Sequence, residues 1–122
     1  QYAHARISNI LRKAEGEGIE EGSPADLPLR RLAQDDELTL IRRLAELPDV
    51  VREAAAELEP HRVTFYLLDL AAAFHGYYNR KENRVVSEDR ELSRARVALV
   101  AGVRQALASG LELLGVSAPE RM

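Results

Sequence analysis

EPHRVTFYLLDLAAAFHGYYNR, residues 59–80, decides the fold. Val63, Tyr66, Leu67, Leu70, Phe74 and one of Tyr77 or Tyr78 recur at three- and four-residue steps. A helix gathers such steps onto one face, whereas a strand would scatter them over both. Pro60 suits the first helical turn, where a backbone N–H has no intrahelical partner to lose. The spacing predicts a helix from Pro60 to about Asn79, the most apolar element of the chain and the spine of its core.

Other segments follow the same period. Ala3, Ile7, Ile10 and Ala14 form one stripe within Tyr2–Glu15, which Gly16 and Gly18 end. Asp35 or Asp36 is placed to cap a second helix carrying Leu38, Ile41, Leu44 and Leu47 inward, with Pro48 stopping it and opening a third. That third helix runs Asp49–Leu58 on Val50, Val51, Ala54, Ala55 and Leu58. After the polar stretch NRKENRVVSEDRE at 79–91, a last helix spans about Leu92–Leu114, with Val100, Val103, Leu107, Leu111 and Leu114 buried and Gly115 as its stop. With no alternating strand pattern and no fixed repeat, this is an all-α chain, an antiparallel bundle of about five helices in a single domain, 1–122. The segment EGEGIEEGSPADLP at 15–28 has no sustained apolar period, and residues 16–28 are expected to be a disordered surface loop.

Composition narrows the classes. The 122 residues are 46% hydrophobic with seven glycines and five prolines, which suits one helical core. No cysteine is present, so disulfides, thiolate zinc sites and thiol nucleophiles are excluded, and a cytoplasmic protein is the simplest fit. No apolar run approaches the roughly 20 residues of a membrane span, so no membrane partner is expected. Gln1 is not an initiator Met and the helical pattern begins at once, so the sequence reads as a piece of a longer chain. The net charge of −3 argues against coating nucleic acid by bulk attraction. Its distribution matters more: residues 15–37 carry eight acids against Arg30 and Arg31, leaving the remainder at +3 and room for a mildly basic face.

The short motifs of metalloproteases, nucleotide-binding loops and serine hydrolases are absent, so no catalytic residue and no metal site are expected. His4, His61 and His75 are better read as core or surface residues than as ligands, and the many carboxylates as outward helical faces. Two segments exceed what a plain bundle needs. In QYAHARISNILRKA at 1–14, Tyr2, His4, Arg6 and Asn9 crowd onto an exposed side that also bears Arg12 and Lys13. FHGYYNRK at 74–81 ends the central helix with two tyrosines, Asn79, Arg80 and Lys81. Rings beside cations can stack on unpaired bases while the charges meet phosphate. On residues alone a plainer account stays open: a tyrosine capping the core, and Arg80–Lys81 complementing a helix C-terminus.

The strings 1–14 and 59–80, with ARVALVAGVRQALASGLELLGVSAPERM at 95–122, resemble the C-terminal, DALR-type anticodon-binding domain of arginyl-tRNA synthetases. The resemblance runs the length of the chain, except that the acidic loop 15–34 is similar to nothing in particular. It implies an RNA-binding surface built from Tyr2, Arg6, His75, Tyr78, Asn79, Arg80, Lys81 and the terminal Met122. The implied partners are the anticodon stem-loop of arginine tRNA, read at its middle cytosine, and an N-terminal catalytic domain of the same chain; DNA is not among them. The HIGH and KMSKS strings of class I synthetases are absent, so ATP and arginine are expected to be handled in the parent enzyme, with no cofactor in this segment. The competing expectation is a non-enzymatic helical interaction module or homodimer.

Overall fold

The computed structural model describes residues 2–19 and 28–115. Among them are four α-helices, α1 (Tyr2–Gly16), α2 (Asp35–Ala56), α3 (His61–Tyr78) and α4 (Arg90–Leu113), two short 3₁₀ turns at Leu29–Arg31 and Lys81–Asn83, and no strand. The all-α expectation holds. The acidic loop expected to be disordered falls largely on 20–27, which lie outside the described residues.

The stripes of α3 and α4 are those of the sequence. Val63, Tyr66, Leu67, Leu70, Phe74 and Tyr77 are buried on α3, and Val100, Val103, Leu107 and Leu111 on α4. Of the two adjacent tyrosines it is Tyr77 that enters the core, at 2% exposure. The two helices meet closely at Gly110, where an added Cβ would fall 2.5 Å from a Leu67 methyl. Ala3, Ile7, Ile10, Leu11 and Ala14 bury one face of α1, and Ile19 and Leu32 join the same core from the loop between α1 and α2. The ends of that loop are tied to the start of α4: Arg90 donates to the carbonyl of Glu17 at 2.9 Å, and Arg31 pairs with Asp89 and Glu91.

Two expected helices are one. α2 runs through Pro48, which lies inside it. A proline there leaves the carbonyl of Leu44 without its i+4 donor and opposes the helix, but the apolar stripe continues on both sides, with Leu40 and Ala54 buried and Leu44, Leu47 and Val50 packed against the core. The Tyr66 hydroxyl on α3 also donates to the carbonyl of Arg43 at 2.5 Å, in the turn before the proline. Tertiary packing thus outweighs the local breaker. In the first two turns of α2 the inward positions are Glu37 and Leu40, one residue before the expected Leu38 and Ile41, while Leu44 and Leu47 face the core as expected. Leu38 and Ile41 are more than a third exposed, Ala55 is exposed and Leu58 is 87% exposed, while Glu37 is fully buried. The N-cap is Gln34 rather than Asp35 or Asp36, and its backbone N–H donates to the Glu37 carboxylate at 3.4 Å.

Glu37 can be buried because it is satisfied. Arg96 of α4, 3% exposed, donates Nε–H to Glu37 Oε2 at 2.9 Å, and the Tyr77 hydroxyl donates to the same oxygen at 2.6 Å. Burial, then this bond, pushes the Tyr77 phenol far above its usual range. Arg96 also donates to the carbonyl of Arg84 at 2.9 Å, and Asn83, fully buried in a stretch that reads as polar surface, donates to the carbonyl of Tyr77 at 2.9 Å. Val85 is buried beside it.

α2 ends in a Schellman closure, with Glu59 N–H on the carbonyl of Ala54 at 2.8 Å and Leu58 N–H on that of Ala55 at 3.3 Å. Leu58 occupies the left-handed position, φ 53°, where a side chain costs about 1–2 kcal/mol and glycine is the usual occupant. Since Leu58 buries almost nothing, Leu58→Gly is expected to stabilise the chain by about 1 kcal/mol, raising the thermal midpoint by a few degrees. An unchanged or lowered midpoint would contradict this.

Candidate nucleic-acid interface

The start of α1 and the end of α3 meet at Arg6. Its guanidinium donates to His75 Nδ1 at 2.8 Å and to Asn79 Oδ1 at 3.1 Å, and its carbon lies 5.0 Å from the centre of the Tyr78 ring. Three neighbours separated from Arg6 by about 70 residues are thereby organised around one planar cation, which a lysine could not imitate. Tyr78 lies nearly parallel to Phe74, 12° between planes and 5.8 Å between centroids. Phe74 is fully buried and is the fixed base on which Tyr78 rests. Tyr2, 57% exposed, leans on His75 with ring centroids 5.3 Å apart.

Because His75 Nδ1 accepts from Arg6, its proton is on Nε2, and Asn79, whose oxygen is taken, keeps its amide hydrogens to give. The cluster thus offers an exposed ring, a half-buried ring and two neutral donors. Burial first, and the Arg6 charge second, hold the His75 pKa below its ordinary 6.5. A folded pKa below the unfolded one means that the folded chain binds fewer protons between the two values. The contribution of His75 to stability is therefore whole above about pH 6.5 and shrinks as pH falls through that interval. By NMR His75 is expected to titrate with a midpoint below 6.5, and Arg6→Ala to move that midpoint upward. A midpoint at or above 6.5 in the parent chain would refute this arrangement.

Tyr2, Arg6, His75, Tyr78 and Asn79 thus converge, as their sequence segments suggested. The Arg80 side chain makes no bond to this cluster but pairs with Asp36 at 2.7 Å while remaining exposed, and Lys81 is exposed at the start of the following turn. His4, expected on the outer side of α1, is buried at 6% exposure, because it falls on the core side beside Ala3 and Ile7. Met122 lies outside the described residues. Sequence reasoning missed Phe74 as the support of Tyr78, although the four-residue step between them was there to be read. Beyond Tyr78 a groove of about 690 Å³ is floored by Ile10, Val85 and Val86. Its lining also balances Lys13 and Arg84 against Glu17 and Glu88, which suits an uncharged occupant better than a phosphate. No group of three or more potential metal ligands occurs among the described residues, and no helix among them is long and apolar enough to cross a membrane.

An all-helical domain with aromatic rings, a guanidinium, an imidazole and an amide converging at the junction of two helices has the composition of a reader of unpaired bases. The sequence model of the DALR anticodon binding domain matches residues 1–122, and the chain belongs to that family. It is 54% identical over 124 residues to the arginine–tRNA ligase of Desulfosudis oleivorans, covering 100% of this chain and 22% of that protein. With the Geobacter metallireducens ligase it shares 49% identity over 122 residues, or 100% of this chain and 21% of the other. The solved arginyl-tRNA synthetase of Thermus thermophilus superposes with a TM-score of 0.85 at 41% identity, over 99% of this chain and 20% of that one. The chain therefore spans about a fifth of the length of the relatives it matches.

Proposed function

We propose that residues 1–122 act as one unit that grips the anticodon stem-loop of arginine tRNA, as the non-catalytic anticodon-binding part of an arginine–tRNA ligase. ATP and arginine are used by a separate catalytic part of the parent chain. The observation that carries this reading is the cluster organised by Arg6. Tyr78 offers the uncovered part of its ring to a splayed base, Tyr2 adds a second ring against His75, and Met122 belongs to the RNA-binding set by resemblance. The Watson–Crick edge of cytosine presents two acceptors, O2 and N3, and the two neutral donors His75 Nε2–H and Asn79 Nδ2–H match them; uracil, with a donor at N3, does not. Every arginine anticodon has cytosine in the middle, so a site that selects this base and tolerates its neighbours meets the need. Arg80 and Lys81 face phosphates and position the RNA without reading it.

The test is filter binding of an arginine anticodon stem-loop and its middle-base variant at two salt concentrations. A salt-dependent preference for the cytosine loop is expected. Lys81→Ala should lower the slope of log affinity against log salt by roughly 0.7–0.9, the value of one phosphate contact, and leave the preference unchanged. Equal affinity for both loops would show that the cluster does not read the middle base, and concentration-dependent dimerisation with no RNA binding would instead favour a helical interaction module.

A further inference from the structure

Apart from the bond that Glu37 accepts from the Gln34 N–H at 3.4 Å, the bonds of the buried charges inside the bundle lead to the segment that carries Asn79. Glu37 of α2 accepts from the Tyr77 hydroxyl and from Arg96 through the same oxygen. Arg96 in turn holds the backbone carbonyl of Arg84, and Asn83 folds back onto the carbonyl of Tyr77. Residues 77–84 are thus clamped at both ends to one carboxylate, with Tyr78 and Asn79 between the clamps. Asp36, next to Glu37, holds Arg80 from outside at 2.7 Å. Apolar packing would fill this space equally well, but it does not fix the direction of a carbonyl or the angle of a helix end, whereas hydrogen bonds do.

We propose that Glu37 and Arg96 are positioning residues for base selection: from inside the bundle they set the angle at which Tyr78 and Asn79 meet the RNA. This rests on the RNA-reading role of the surface cluster. A recognition site loses discrimination when its donors shift by about an ångström, even when the groups themselves are intact. Both residues are buried, so they do not act on RNA by touching it but through the segment they hold.

The test compares the parent chain with a triple variant, Glu37→Met, Tyr77→Phe and Arg96→Met, which removes both charges and the hydroxyl together and strands none of them. Folding is checked by circular dichroism and melting, and binding by the cytosine stem-loop and its middle-base variant at two salt concentrations. Preference for the cytosine loop is expected to fall by about tenfold, on the scale of a small misplacement, with the salt slope unchanged. Amide exchange over 79–84 should quicken while that of α1 stays the same. If the triple variant does not fold, Asn83→Ala leaves the Glu37–Arg96 pair whole and cuts the ties of Asn83 to the Tyr77 carbonyl and to Asp36; it is expected to lower the preference severalfold. A folded variant that keeps the preference within about twofold overturns the inference and leaves the RNA reading standing. A parent chain without any preference overturns both.

Discussion

Replacing Tyr78 with alanine is expected to weaken binding of the arginine anticodon stem-loop by about 1–3 kcal/mol, the loss usual for one base–aromatic contact, or roughly 5- to 150-fold in affinity. The half-buried ring packs against Phe74 and Arg6, so its position is set before RNA arrives and little ordering opposes contact of a base with the part they leave uncovered. Tyr78→Phe should bind nearly as well, since stacking needs the ring and not the hydroxyl. Arg6→Lys should behave more like Tyr78→Ala: a point charge cannot hold His75, Asn79 and the Tyr78 face at once. Fluorescence titration of a labelled stem-loop measures all three. A folded Tyr78→Ala chain with unchanged affinity would show that the reading surface lies elsewhere.

The largest effect on stability is expected at the buried pair. Arg96→Ala or Glu37→Ala leaves a charge stranded where its partner was less than 5% exposed, and breaking such a pair costs about 3–5 kcal/mol. Domains of this size hold about 5–15 kcal/mol in all, so either single variant should lose a large share of its folded population on mild warming. Glu37→Met combined with Arg96→Met and Tyr77→Phe removes both charges and the hydroxyl bonded to them, and should be neutral or stabilising by about 1–4 kcal/mol, because no charged group then needs to be desolvated and no buried donor is left unpaired. Urea unfolding of the four chains reads the difference directly. A loss below about 1 kcal/mol in Arg96→Ala would mean that the pair is hydrated or replaceable, contrary to its geometry.

The contrast between α3 and α2 explains how far sequence reading reached. On α3 the apolar positions are many and the polar ones few, so one phase fits and the inward face follows from it. α2 is more evenly divided: Leu38, Leu40, Ile41 and Leu44 support two phases one residue apart, and the true phase is the one that buries a glutamate. No local rule favours that choice, because the cost of burying Glu37 is met by Arg96 and Tyr77, which lie 59 and 40 residues away. Pro48 misled for a related reason. Its penalty is local and visible in the sequence, while the packing of Leu44 and Leu47 that opposes it comes from other helices.

The sequence by itself determined the helical class, the inward stripes of α1, α3 and α4, and, through three separated blocks, the family. Periodicity and motif order are properties of neighbours along the chain, and they persist whatever the helices later pack against. Tertiary structure alone decided that Tyr77 turns inward while Tyr78 rests half-buried over Phe74. It alone decided that Arg6 joins His75 and Asn79, and that a carboxylate from α2 meets a guanidinium from α4 in the core. These pairings depend on the rotation and spacing of whole helices, which are settled only when the stripes interlock, so no residue's immediate neighbours carry the information.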